Sequence, residues 1–217
     1  ACKPLIEYTI IAAQNSKQLS KFIVSTDSEE IADISKKCGA EVPFMRPKEL
    51  ALDNTSDRPV ILHALKYLQE HDNFVPDFVV LLRPTTPFKT GAIIDECIVK
   101  LSENNHYSSV RTVTKVEGVH HPYWMFNNKE GFLKNFIEGI DLNTYNRRQL
   151  LPECYRLNGV VDVMRTDIIN AGDLYGDKIG YVALSEIDSV DIDNQFDFEL
   201  CQFLIQRNHN CFQKSND

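Results

Sequence analysis

The sequence has 217 residues, 43% of them hydrophobic and 25% charged, ordinary values for a globular protein and wrong for a disordered or fibrous one. A chain this long buries about 70% of the surface its unfolded form exposes, so it needs no disulfide or metal staple. Lys and Arg number 23 against 31 Asp and Glu, a net charge of −8. No basic stripe is present, which argues against a nucleic-acid partner and leaves open an anionic small substrate held by a few converging Arg or Lys.

Six widely spaced cysteines (Cys2, Cys38, Cys97, Cys154, Cys201, Cys211) form no CxxC pair. They read as free thiols in a reducing, cytoplasmic compartment. No apolar run approaches the ~18 residues of a membrane span, and the first residues lack a signal-peptide core.

Taken in order, the elements alternate. Leu5–Ser16 has helical spacing, with Leu5, Ile6, Ile10 and Ala13 on one face. Phe22–Ser25 is a short strand, and Ser28 caps a helix through Lys37 that Gly39 stops. A second strand covers Glu41–Met45. Ser56, Asp57 and Pro59 open the next helix. Phe78–Leu82 is a continuous apolar run, expected to be buried on both faces as in a parallel sheet. Thr90 opens a helix to about Glu103, and Ser109–Lys115 is a strand. Between about 117 and 158 the rhythm breaks. Tyr123–Phe126 reads as a strand, residues 127–131 as a hairpin turn, and 145–154 as a polar loop. This stretch is too small for its own core and reads as an arm. The pattern resumes with strand Gly159–Met164, a short helix after Thr166, strand Ile179–Leu184 and a last helix from Gln195 to about Arg207. Strand–helix repetition predicts an α/β fold with a doubly wound, mostly parallel sheet. Residues 1–217 read as one domain carrying an inserted arm.

Several groups of residues have chemical potential. In the segment Ser189–Asn194, Asp191 and Asp193 are two apart and face one side if extended. Paired carboxylates suit Mg²⁺ shared with substrate phosphates or proton transfer from a hydroxyl. The plainer alternative is that Asp193 caps the last helix while Asp191 is solvated. Arg83, Thr85 and Thr86 lie in a Pro-stiffened loop after the apolar strand, where ligand crevices form. Arg46 follows the second strand and either meets a phosphate or base, or pairs with Glu49. Arg148, Gln149, Arg156 and Asn158 close the arm and offer planar forks and amides for a carboxylate. Gly159 beside them permits close backbone approach. Trp124, after His120 and His121, supplies an aromatic wall or packs the arm; adjacent histidines on a strand would face apart, against a zinc site.

In the order KPLIEYTI, FIVSTDSEEIA, RPKELALD, LLRPTTPFKTG, HHP, RRQLLPECYRLNG and SVDID, these segments resemble the acylneuraminate (nonulosonate) cytidylyltransferases, the CMP-sialic acid synthetases. The resemblance spans nearly the whole sequence. It implies transfer of CMP from CTP to the anomeric hydroxyl of a nine-carbon sugar acid, releasing pyrophosphate. It implies Mg²⁺ at Asp191 and Asp193, nucleotide contacts from Arg46, Thr55 and Asp57, and sugar-acid contacts from Arg148, Arg156 and Asn158. It also implies a homodimer built through the inserted arm. The family's first strand and its Gly-, Ser-, Lys- and Arg-bearing triphosphate loop would precede Lys3, and neither is in this sequence. Loss of a central strand would leave a sheet edge unpaired, so a further segment ahead of Lys3 is expected rather than a natural deletion. Arg83 stands where many sialic acid enzymes carry Gln, Trp124 where sialate-specific members carry Lys, and Asp162 where an aromatic lies near the acyl pocket. These departures point away from N-acetylneuraminate, and the HPYW (121–124) and RLNG (156–159) forms resemble enzymes for bacterial diacetamido sugars such as legionaminic acid. Two alternatives stand beside this reading: a paralogue that binds a sugar acid without turnover, and a DxD glycosyltransferase, whose motif usually ends an earlier strand.

Overall fold

The computed structural model describes residues 3–212, with side chains to residue 207. Cys2 and the Cys211 side chain lie outside it, and Cys38, Cys97, Cys154 and Cys201 are free thiols.

Helix α1 covers Leu5–Gln14 and α2 covers Glu29–Lys37, where the Ser28 hydroxyl accepts from the Ile31 N–H. Helix α3 spans Asp57–Asp72, strand β1 Phe78–Leu81, and α4 Gly91–Ser102, capped by Thr90. Strand β2 is Ser109–Lys115. The arm holds β3 (Phe126–Lys129) and β4 (Phe132–Asn135). Strand β5 (Tyr155–Arg165), helix α5 (Thr166–Ala171), strand β6 (Ile179–Leu184) and helix α6 (Gln195–Phe212) complete the chain.

The central sheet has the order β1-β5-β2-β6. Strands β1, β2 and β6 run one way, while β5 is antiparallel to both its neighbours. The fold is thus α/β with a mostly parallel sheet, although the apolar run at β1 has an antiparallel partner rather than the expected parallel one. The chain leaves β2 at one end of the sheet, makes the arm, and re-enters at that same end, so β5 must run back. It begins at Tyr155, and the sheet therefore resumes ahead of residue 158. The strands expected at 22–25 and 41–45 are not formed; this region contributes only isolated parallel bridges, Ile23 to Glu41 and Thr26 to Met45.

The period of two in a strand explains how β1 is buried on both faces. Phe78, Val80 and Leu82 pack with Ala12, Ile94, Cys97 and Leu101 under α1 and α4. Val79 and Leu81 pack on the other face with Ile61, Met164 and Ile169 under α3 and α5. Helices on both faces are the doubly wound arrangement. Gly91 lets α4 meet α1 closely, since a Cβ there would lie 2.5 Å from the Asn15 carbonyl carbon.

In the arm, Pro122–Trp124 is a 3₁₀ turn rather than a strand. Pro122 sits at its first position, and the His121 ring accepts from the Tyr123 N–H at 3.2 Å. The other ring nitrogen of the buried His121 meets the Pro152 carbonyl at 3.0 Å. The two bonds assign the neutral tautomer with the proton on Nε2. The hairpin turn is tighter than the 127–131 expected: residues 127–129 belong to β3, and Glu130 and Gly131, at φ 54° and 88°, make the turn.

Candidate active site

In an open α/β sheet, ligands sit beyond the carboxyl ends of the parallel strands. The loops after β1 and β6 end there, as does the segment after the Thr26–Met45 bridge. The sequence-derived residues divide among these loops and the arm.

Arg46, Thr55 and Asp57 line one cavity of about 210 Å³, together with Asp27, Leu52 and Leu81. Arg46 is not paired with Glu49. Its Nε donates to Ser25 Oγ at 3.1 Å, and its Nη2 to the Ser25 carbonyl. The guanidinium is thereby anchored to the end of the 22–26 segment. A larger hollow of about 560 Å³ lies between α1 and the start of α4, bordered by Ile11, Asn15 and Gly91. None of the sequence-derived site residues lines it.

Arg83 joins the first cavity to the sheet. Its Nη2 is 2.9 Å from Asp57 Oδ2 and its Nη1 2.8 Å from Asp162 Oδ2. Burial works against the Arg83 charge, but the Asp162 carboxylate more than restores it and holds the group above the ordinary arginine value. Thr86 is fully buried, donating to the Arg83 carbonyl at 3.1 Å. Thr85 is half-buried and its carbonyl accepts from the Ile192 N–H at 3.0 Å. That bond ties the Arg83–Thr86 loop to the acidic segment.

The two aspartates differ from the plainer alternative in both respects. Asn194 caps α6, its side chain accepting from the Asp197 N–H at 3.1 Å. Asp193 is therefore not the cap; its backbone N–H donates to Asp197, and its own carboxylate is exposed and accepts nothing among the described residues. Asp191 is not solvated on both oxygens: its Oδ1 is buried and has no hydrogen-bond partner. A buried carboxylate oxygen without a partner is costly, and a hard cation would satisfy it. Among the described residues no three His, Cys, Asp or Glu converge as a metal cage. Asp191 offers a hard cation this one oxygen and the exposed Asp193, two residues on, offers a second; a site so lined fits Mg²⁺, which takes one or two carboxylates and completes its shell with phosphate and water.

Lys89 was not singled out from sequence. It is 4% exposed, and its Nζ donates to the Arg83 carbonyl (2.6 Å), the Thr86 Oγ1 (2.8 Å), the Thr9 hydroxyl (3.2 Å) and the Thr86 carbonyl. Burial pulls its pKa down to about 7, against the opposing field of Asp191. One signal was present in the sequence: a cation directly before a helix cap opposes the helix dipole, so Lys89 ahead of Thr90 needed another reason to be there.

The remaining residues fall elsewhere. Asn158 is buried, donating to Thr114 Oγ1 at 2.9 Å, which in turn meets Ser189 Oγ at 2.7 Å. It supports the acidic segment from beneath. Arg156 is exposed and pairs with Glu186 at 2.7 Å. Arg148 and Gln149 are exposed in a 3₁₀ turn of the arm, and the Trp124 Nε1 donates to the Tyr145 carbonyl at 2.6 Å. No contact described brings these three arm residues to the cavity.

A family model described as cytidylyltransferase matches residues 1–206. The chain belongs to the nonulosonate cytidylyltransferase family. It is accordingly a nucleotidyltransferase. Among similar proteins, a CMP-N,N'-diacetyllegionaminic acid synthase of Campylobacter jejuni is 32% identical over 93% of this chain and 83% of its own length. The synthase of the same name from Legionella pneumophila is 31% identical over 96% of this chain and 88% of its own. An N-acylneuraminate cytidylyltransferase of Escherichia coli is 31% identical, with 94% of this chain matching 46% of that longer protein. Among solved structures, a CMP:2-keto-3-deoxy-manno-octonic acid synthetase complexed with CTP superposes with a TM-score of 0.66 over 95% of this chain and 89% of its own. At 12% identity that likeness concerns the fold.

Proposed function

We propose that this family member transfers CMP from CTP to the anomeric hydroxyl of a nonulosonic acid of the diacetamido class, with Mg²⁺ and release of pyrophosphate. The observation that carries the reading is the uncommitted acidic pair: Asp191 with a buried, unpartnered oxygen, beside a loop that Ile192 fastens to Thr85. The names of the Campylobacter and Legionella relatives support the sugar class.

In this reading Arg46, Thr55 and Asp57 receive the nucleoside. Asp57 offers an acceptor for an amine or hydroxyl, and Thr55 a small polar wall. Asp191 and Asp193 would hold Mg²⁺, which would supply charge neutralisation at the triphosphate and Lewis acidity at the attacking hydroxyl. One of the two carboxylates takes the hydroxyl proton. The sugar oxygen bonds to the α-phosphorus as the bond to pyrophosphate breaks. Such chemistry depends on positioning and charge neutralisation; in this reading the Thr85 hydroxyl and Arg156 bind the sugar acid, Arg156 giving up its pair with Glu186 to do so.

Trp124, Arg148 and Gln149 act from the arm of a second copy. Phe132 and Leu133 on the hairpin are 78% and 75% exposed, and each such side chain yields roughly 1.5–3 kcal/mol when buried. A self-complementary arm contact covers them. The double substitution Phe132→Asp, Leu133→Asp is expected to convert a dimer to a monomer in sedimentation velocity. A wild-type protein that sediments as a monomer at all concentrations contradicts the arm's role. Free thiols on the described cysteines fit the reducing cytoplasm, and no described helix is long and apolar enough to cross a membrane.

The test is nucleotide choice. With Mg²⁺ and a diacetamido sugar acid, pyrophosphate release is expected from CTP and at most about 1% as much from UTP, ATP or GTP, since a polar cavity left unpaired by the wrong base discriminates strongly. Equal release from UTP sinks the assignment.

A further inference from the structure

In β2 Arg111 follows Val110, in β5 Asp162 stands between Val161 and Val163, and the sheet register sets the two charged side chains opposite each other. Asp162 is 1% exposed, so no substrate reaches it directly. Four donors surround it. Arg111 Nε lies 2.9 Å from Oδ1 and Arg111 Nη2 3.2 Å from Oδ2. Arg83 Nη1 is 2.8 Å and the Tyr175 hydroxyl 3.4 Å from the same Oδ2. The Arg111 guanidinium lies 3.8 Å from the centre of the Tyr175 ring. A buried carboxylate so enclosed is fixed in place.

Arg83 carries that fixed position outward. Its second terminal nitrogen is bonded to Asp57 at 2.9 Å. Gly159 lies beside Arg83 with φ +65°, a left-handed conformation that favours glycine. A guanidinium is a rigid planar fork, so anchoring one tine on Asp162 directs the other. The chain Asp57–Arg83–Asp162–Arg111 alternates in charge and joins the rim of the nucleotide cavity to the middle of the sheet.

We propose that Asp162 is a positioning residue for nucleotide recognition, setting through Arg83 where the Asp57 carboxylate stands in the wall of the Arg46 cavity. The proposal rests on reading that cavity as the CTP site. It assigns Arg83 to a strut between two carboxylates rather than to a free cation awaiting the sugar acid's carboxylate.

The test is a double-mutant cycle on CTP affinity by titration calorimetry. Asp57→Asn and Asp162→Asn are each expected to weaken CTP binding about fivefold to tenfold. The double variant is expected to be no weaker than about twofold beyond the worse single, since both changes break one connection. KM for CTP rises with Asp162→Asn while KM for the sugar acid holds, a split that general loosening would not produce. Should Asp162→Asn lose its cooperative melting transition, Arg83→Lys takes its place in the cycle. Lysine keeps the charge but cannot reach both carboxylates, and the same affinity loss is expected. Multiplicative losses in folded variants, or wild-type affinity in Arg83→Lys, overturn the strut. A wild-type protein that binds no CTP overturns the cavity assignment itself, a separate outcome visible before any variant is made.

Discussion

Asp193→Asn is expected to lower pyrophosphate release by about 10³-fold or more, because the barrier loses a charge that neutralises the triphosphate. The melting temperature should barely move. The Asp193 carboxylate is exposed and accepts no bond among the described residues, while Asn194 supplies the helix cap. Raising Mg²⁺ should recover part of the rate, since one oxygen ligand survives in the amide. Turnover in Asp193→Asn within threefold of wild type rules out the metal–aspartate assignment.

Lys89→Met should act first on the fold. Methionine matches the length but makes no hydrogen bond, so the Arg83 and Thr86 carbonyls and the Thr86 hydroxyl lose the ammonium that ties them together. A buried acceptor left alone costs about 1–3 kcal/mol. Only the Thr86 carbonyl is left with no donor among the described residues, because the Thr86 hydroxyl still donates to the Arg83 carbonyl; one such loss of about 1–3 kcal/mol corresponds to a fall in melting temperature of roughly 5 °C in a domain of this size. Activity should fall further than stability, because the loosened loop carries the Thr85 carbonyl that holds Ile192 between the two aspartates. Lys89→Arg keeps the donors but adds volume and should fall between the two. A Lys89→Met protein that melts like wild type would mean that the loop does not depend on this cation.

Helices were the most legible part of the sequence, because their signals are local. Ser28 and Thr90 were readable as caps, and each side chain accepts the expected backbone N–H. Pro122 was a local signal too, but its preference for the first turn of a helix outweighed the aromatic strand propensity of Tyr123 and Trp124. Strand direction was not legible. The alternation in residues 159–164 is the same whichever way β5 runs, and only the return path from the arm decides it. The strands expected at Phe22–Ser25 and Glu41–Met45 lie beside each other but hold only two bridges, which pattern alone could not foresee.

The site divides in the same way. Arg46, Thr55 and Asp57 lie within eleven positions of sequence, and one strand end and one helix start bring them to one cavity. The acidic pair was visible as a motif, yet its decisive property, an orphan oxygen on Asp191, is a fact of packing. Asn158 and Thr86 looked like ligand groups because they are polar; both are satisfied inside the protein and support the groups that are not. The opposed Arg111 and Asp162 could have been found by asking what a charge does in the middle of a buried strand. The departures at Arg83 and Asp162 were readable separately, but only the fold makes them a bonded pair.

CMP transfer is read directly by ³¹P NMR of one reaction: the protein, CTP, Mg²⁺ and N,N'-diacetyllegionaminic acid. A new phosphodiester signal from the CMP–sugar and pyrophosphate in equal amount are expected, with neither formed when the sugar acid is left out. CTP consumed without a sugar phosphodiester, or no consumption with this acid, N-acetylneuraminate or pseudaminate, would rule out CMP transfer to a nonulosonic acid.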